Sequence, residues 1–261
     1  ESSGSALAPT LGIGKGTVTL DDFEKADLIF IIGQNPGTNH PRMLSSLEEA
    51  KKQGATIISV NPLPEVGTEK FKNPQHFMHP LKALPTLLGE GARLSDIWVQ
   101  PRINGDLALF IGIMKEMLAA EDAAPGTIFD HAFIKEHTHG FEALIADLRE
   151  ADWEQIVESS GVSREQIKTV AEHTMKSKAT ICCWAMGLTQ QPNAVETIQS
   201  IVNLLLLRGD MGKPGAGACP VRGHSNVQGD RTMGVFEKMS DEWLDGLDAE
   251  FEFKSPRDHG Y

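Results

Sequence analysis

The stretch CPVRGHSNVQG, from Cys219 to Gly229, gathers an arginine, a histidine, an asparagine and a glutamine among glycines, with almost nothing that builds a core. A guanidinium carries a fixed charge and a two-pronged donor fork that matches a carboxylate. A histidine two places on can move a proton near neutral pH. Arg222 and His224 are therefore the candidate catalytic pair for a small anionic substrate. The structural alternative is an arginine that merely satisfies loop carbonyls.

Four further loops carry polar residues after apolar runs. GQNPGTNHPRM (33–43) joins a strand to a helix and offers Gly33, Asn35, Thr38 and Asn39 beside free helix N–H groups, a setting that suits a pyrophosphate. It lacks GxGxxG, which counts against an ordinary NAD-binding loop. VNPLPE (60–65) places Asn61 where a ribose often sits, or is a plain Asn-Pro turn. INGDLAL (103–109) puts Gly105 and Asp106 at a helix start. That is either a plain cap or a carboxylate able to accept two N–H bonds from a guanine edge. WAMGLTQQ (184–191) leaves an apolar run with Met186 and Gly187 positioned to press on a flat ligand and Gln190 positioned to pair with amide edges.

These loops need a scaffold. KADLIFIIG (25–33), TIISVNP (56–62) and ATICCWAMG (179–187) read as buried parallel strands, with DIWVQ (96–100) as a short one. The segment 41–55 reads as a helix with Pro41 in its first turn and Gly54 past its end. Segment 104–122 reads as an amphipathic helix, 130–162 as helix in pieces, 163–178 as a helix capped by Ser163, and 193–209 as a helix ended by Gly209. The segment 65–80 reads as irregular. The fold class is α/β, an open, mostly parallel sheet with helices on both faces, and such sheets take ligands at the carboxyl ends of strands. The α/β domain is expected over 1–224, and 225–261 as a tail or the entry to a neighbouring domain.

The 261 residues carry a net charge of −12, which argues against a nucleic-acid or anionic-membrane surface. No apolar run reaches the length of a membrane span, and the N-terminus lacks the features of a signal peptide. Three cysteines without disulfide-like spacing point to a reducing, cytoplasmic setting, with Cys182 and Cys183 as small core hydrophobes. The nine histidines show no metal-ligand spacing, and no residue of this chain is assigned to a metal.

Taken together, the segments 26–62, NGDLAL, WAMGLTQ and LLLLRGDMGKPGAGACPVRGHSNVQGDRTMG resemble the molybdopterin oxidoreductases of the bis-molybdopterin-guanine-dinucleotide class, nearest the formate dehydrogenase alpha subunits. The likeness runs from Glu1 to about Gly234. It implies a domain that holds one guanine dinucleotide arm, with molybdenum or tungsten in the full-length protein and a possible 4Fe-4S cluster outside this segment. It implies that Asn35, Thr38 and Asn39 lie on the phosphate side, Asn61 at the ribose, Asp106 at the guanine, and Met186, Gly187 and Gln190 at the pterin end. Arg222 matches the arginine that orients formate. His224 stands where formate dehydrogenases commonly have glutamine, Asn61 where many have aspartate and Leu63 where many have arginine. In that family the sulfur or selenium ligand to the metal lies upstream of the matching segment, and a barrel holding the other arm lies downstream. The isolated chain is therefore expected to be inactive. The expected reaction of the full-length protein is two-electron oxidation of formate or a related small anion, passing electrons to a partner. Other readings are a nucleotide-binding α/β domain of another class, or a relative that binds the dinucleotide without turnover.

Overall fold

A computed structural model describes residues 2–224, 226–234 and 239–257. Two compact units divide the chain, Glu1–Val221 and Arg222–Tyr261.

The first unit is built on five parallel strands: β1 (Leu28–Ile32), β2 (Thr56–Val60), β3 (Ile97–Val99), β4 (Thr180–Trp184) and β5 (Gly217–Pro220). Their spatial order is β3-β2-β1-β4-β5. The direction of winding therefore reverses at β1, which pairs with β2 on one side and β4 on the other; Leu28 stands opposite both Thr56 and Thr180.

The apolar runs are continuous because both faces of the sheet are covered. Leu28, Phe30, Ile32, Ile58, Val60, Cys182 and Trp184 pack on one face with the helices Asp106–Ala123, Arg164–Lys176 and Ala194–Leu207. Ile29, Ile31, Ile57, Ile181 and Cys183 face the other way, against the Pro41–Lys52 helix and Phe23. This alternation is the period-2 geometry of a strand placed between two helical layers.

Several local expectations meet a different structure. The Asp106–Ala123 helix is not amphipathic: Leu109, Phe110, Gly112, Ile113, Met114, Met117, Leu118 and Glu121 are buried, and they occupy most of its circumference. It runs through the middle of one layer. The segment 65–80 is not wholly irregular, since it holds a helical turn at Val66–Glu69 and a 3-10 turn at Pro74–Met78. The N-terminal segment forms a helix, Ser2–Leu11, whose Ser3 hydroxyl accepts a hydrogen bond from the buried Trp184 indole at 3.0 Å. Cys219 and Pro220, read as the start of a loop, are the end of β5. Proline is tolerated there because β5 is an edge strand. On its outer side, Thr17 donates its N–H to the Ala218 carbonyl and accepts the Ala218 N–H on its hydroxyl, both at 2.9 Å.

The second unit holds the helices Val227–Thr232 and Asp241–Phe251. Ser240 caps the latter, and Arg257 binds Asp241, Asp245 and Asp248 along it. Residues 235–238 and 258–261 of the expected tail lie outside the described residues.

Candidate functional site

The carboxyl ends of β1, β2, β3 and β4 bring most of the candidate residues to one edge of the sheet. Gly33 follows β1 with φ +56°, a left-handed conformation that glycine adopts without strain. Gly187 follows β4 in the short helical turn Met186–Thr189. The two meet main chain to main chain: Gly187 N–H donates to Gly33 O at 3.0 Å. A Cβ on Gly33 would lie 2.7 Å from Leu188 N, and one on Gly187 would lie 2.6 Å from Gly33 O. The switch point of the sheet is thus closed by two backbones with no side chain between them.

Asn35 caps the turn Pro36–Asn39, its Oδ1 accepting the Thr38 N–H at 3.0 Å. Its Nδ2 donates to Glu65, which also lies 3.5 Å from Asn61 Nδ2. Glu65 therefore ties the β1 loop to the β2 loop, a role hidden in the sequence because the partners are thirty residues apart. Asn61 also donates to Gln34 O at 3.3 Å, and the Trp98 indole donates to Asn61 O at 2.9 Å. Gln34, Asn61, Leu63, Glu65 and Trp98 line a shallow polar pocket. Thr38 and Asn39 are exposed beside it in the chain. A second glycine contact supports the same corner: Cβ atoms on Gly37 and Gly67 would lie 2.9 and 2.7 Å from each other's Cα.

Asp106 opens the long helix and is buried, with Gly105 before it. Gly105 has a packing reason of its own, because a Cβ there would lie 2.7 Å from Ser159 O and 2.9 Å from Ser160 O. Burial raises the Asp106 pKa above the usual carboxylate range, partly offset by a hydrogen bond from Gln191. Among the described residues no ion pair reaches Asp106. Gln191 Nε2 donates to Asp106 Oδ2 and to Gly187 O, each at 2.8 Å. The β3 loop and the β4 loop are joined through this one carboxamide. The sequence singled out its neighbour Gln190, which is exposed, as is Met186. Only the phase of the turn after β4, which the sequence does not settle to one residue, distinguishes the two glutamines.

Arg222 and His224 belong to the second unit. Arg222 is half-buried and His224 exposed. Burial, with a smaller effect from the positive charge of Arg231, draws the Arg222 pKa below its ordinary value. Cys219 stands opposite Cys183 across β4 and β5; all three cysteines are free, and Cys182 and Cys183 are buried. No helix among the described residues is long and apolar enough to cross a membrane.

Residues 13–241 match the model of the molybdopterin oxidoreductase family. The chain belongs to that family. An uncharacterised oxidoreductase of Mycobacterium tuberculosis is 51% identical over 261 residues, the whole of this chain and 33% of the relative. Protein YdeP of Escherichia coli is 44% identical over 265 residues, covering 34% of its length. Formate dehydrogenase H of Escherichia coli is more distant, 30% identical over 231 residues, 88% of this chain and 28% of the enzyme. The solved structure of acetylene hydratase from Pelobacter acetylenicus superposes with a TM-score of 0.63 at 19% identity, covering 83% of this chain and 25% of that one, a likeness of fold. The chain thus spans about a third of the length of its curated molybdopterin oxidoreductase relatives. Membership implies a molybdopterin cofactor.

Proposed function

We propose that this chain holds one guanine dinucleotide arm of a bis-molybdopterin guanine dinucleotide cofactor. The full-length protein would oxidise formate or a related small anion in the cytoplasm. The observation that carries the reading is the constellation at the switch point. Gly33 and Gly187 bring the β1 and β4 loops together main chain to main chain, and beside them Asp106, joined to Gly187 O through Gln191, holds a buried carboxylate with no ion-pair partner among the described residues. These residues fit such a group. A buried carboxylate prefers N–H donors where no cation is at hand, and a guanine edge supplies two.

In this reading Asn35, Thr38 and Asn39 receive the phosphate side and Asn61 the ribose. Asp106 accepts from the base, and Met186, Gly187 and Gln190 flank the pterin end. The bound metal centre supplies two-electron redox chemistry. Arg222 holds the substrate carboxylate by its fork, neutralising and orienting it. A guanidinium keeps its proton in proteins, so Arg222 stays charged. His224, exposed beside it in the chain, takes or relays the proton. The positive charge of Arg231, close enough to act on Arg222, supports an anionic substrate.

Acid release of nucleotide from the full-length protein, purified from cells supplied with molybdate, tests the reading. About two GMP per polypeptide are expected, since the class carries two such arms. A folded protein that releases no GMP would overturn it.

A further inference from the structure

The Gln191 carboxamide carries two N–H donors on Nε2 and an acceptor, Oε1, and the structure uses both donors. Both contacts of Nε2, Asp106 Oδ2 and Gly187 O, are acceptors at 2.8 Å. Turning the amide over would set its oxygen against a carboxylate and a carbonyl, so the two neighbours fix which atom is nitrogen. The remaining atom, Oε1, is buried and has no hydrogen-bond partner among the described residues. An unmet buried acceptor is costly, and a native structure that keeps one has a reason to. Both amide hydrogens are spent, so Gln191 cannot relieve Oε1 by rotating.

We infer that Gln191 is a specificity-determining residue of the guanine site: it holds Asp106 by Nε2 and keeps Oε1 for the exocyclic amine of the base. The inference rests on the proposed guanine dinucleotide reading and adds to it. Guanine offers three N–H hydrogens along one edge, one on N1 and two on N2. A carboxylate already accepting on Oδ2 can take N1–H and one N2–H; the second N2–H then meets Oε1. Adenine would turn a ring nitrogen lone pair toward the carboxylate and is excluded by Asp106 alone. Hypoxanthine keeps N1–H but has no amine, so it forfeits both N2–H contacts, the one to Asp106 and the one to Oε1.

The test uses the cofactor-free full-length protein, obtained from cells deprived of molybdate, and titrates it with GDP, IDP and ADP by calorimetry. GDP is expected to bind about a hundredfold more tightly than IDP, the worth of two buried hydrogen bonds at about tenfold each, with ADP weaker than both. Gln191→Leu should cut the preference for GDP over IDP by about tenfold, leaving the part that Asp106 reads, while ADP stays weakest. Equal binding of GDP and IDP by the unaltered protein would overturn the inference, while acid-released GMP tests the guanine reading separately; this comparison needs no variant to fold. An unchanged GDP preference in a folded Gln191→Leu protein would overturn it equally. Absence of GDP binding, together with absence of acid-released GMP from molybdate-grown protein, would instead remove the guanine reading, and this inference with it.

Discussion

Gly187 donates its N–H to the carbonyl of Gly33 at 3.0 Å, and neither residue has room for a Cβ. Two strand ends that are more than 150 residues apart in sequence are thereby clamped by main chain alone, at the point where the sheet reverses its winding. A side chain at either position would part the two loops.

Gly33→Ala is accordingly expected to destabilise the protein by about 1–3 kcal/mol, since it adds a left-handed alanine to a backbone clash. Gly187→Ala carries the clash without the positive φ and should cost less in urea denaturation. Both should lower retained GMP. A Gly33→Ala protein with unchanged midpoint and slope would show that the clamp can open freely.

Asp106→Asn separates stability from ligand retention. The buried carboxylate has a raised pKa, so the native state holds its proton more readily than the unfolded chain does. Its contribution is favourable at low pH and turns into a cost as pH rises through the folded value. Asparagine should therefore raise the Tm of cofactor-free protein at neutral pH, with the gain shrinking toward acid pH. The same change should speed GMP loss by about tenfold or more, because a charged acceptor is worth more than a neutral one.

Arg222→Lys keeps the charge and loses the fork. A drop of about a hundredfold in kcat/KM toward the anionic substrate is expected, the scale of a misplaced reacting group. GMP content should stay at the unaltered level, which distinguishes loss of substrate orientation from loss of cofactor. Normal turnover by this variant would remove Arg222 from its proposed role.

Glu121 is expected to add to the acid sensitivity of the fold. Burial alone would raise its pKa. The N–H groups of Gly126, Ile128 and Phe129 and the His131 ring outweigh that and bring it to about 2, against an ordinary 4.5. A lowered carboxylate pKa stabilises above its unfolded value and loses that contribution as pH falls toward 2. The amount is about 3 kcal/mol at full ionisation, and Glu121→Gln should remove most of it. Stability measured by denaturation between pH 2 and 5 should be flatter in the variant.

How much of this was legible beforehand depends on the range of the interaction that fixes each part. β1, β2 and β4 announce themselves as apolar runs, and Ser163 caps its helix through the Gln166 N–H, three residues on. These are local matters. β5 has only Gly217, Ala218, Cys219 and Pro220, and nothing in four such residues says strand; its pairing with β4 and the hold of Thr17 make it one. Glu65 and Gln191 escaped notice for the same reason. Each is an ordinary polar residue until the fold brings a loop to it from thirty or eighty-five residues away. The Asp106–Ala123 helix misled in another way: burial on most sides removes the polar face that a surface helix would show.

The outer rim of β5 has one further consequence. Along that rim Ala218 has both main-chain groups engaged by Thr17, and Pro220 has no N–H to offer. A foreign strand approaching there would find its ladder refused at successive outward positions. The chemistry of β5 itself therefore closes this rim to further pairing. A neighbouring chain or a misfolded copy cannot extend it from that side, and the open sheet is guarded at that edge against growth into a fibre.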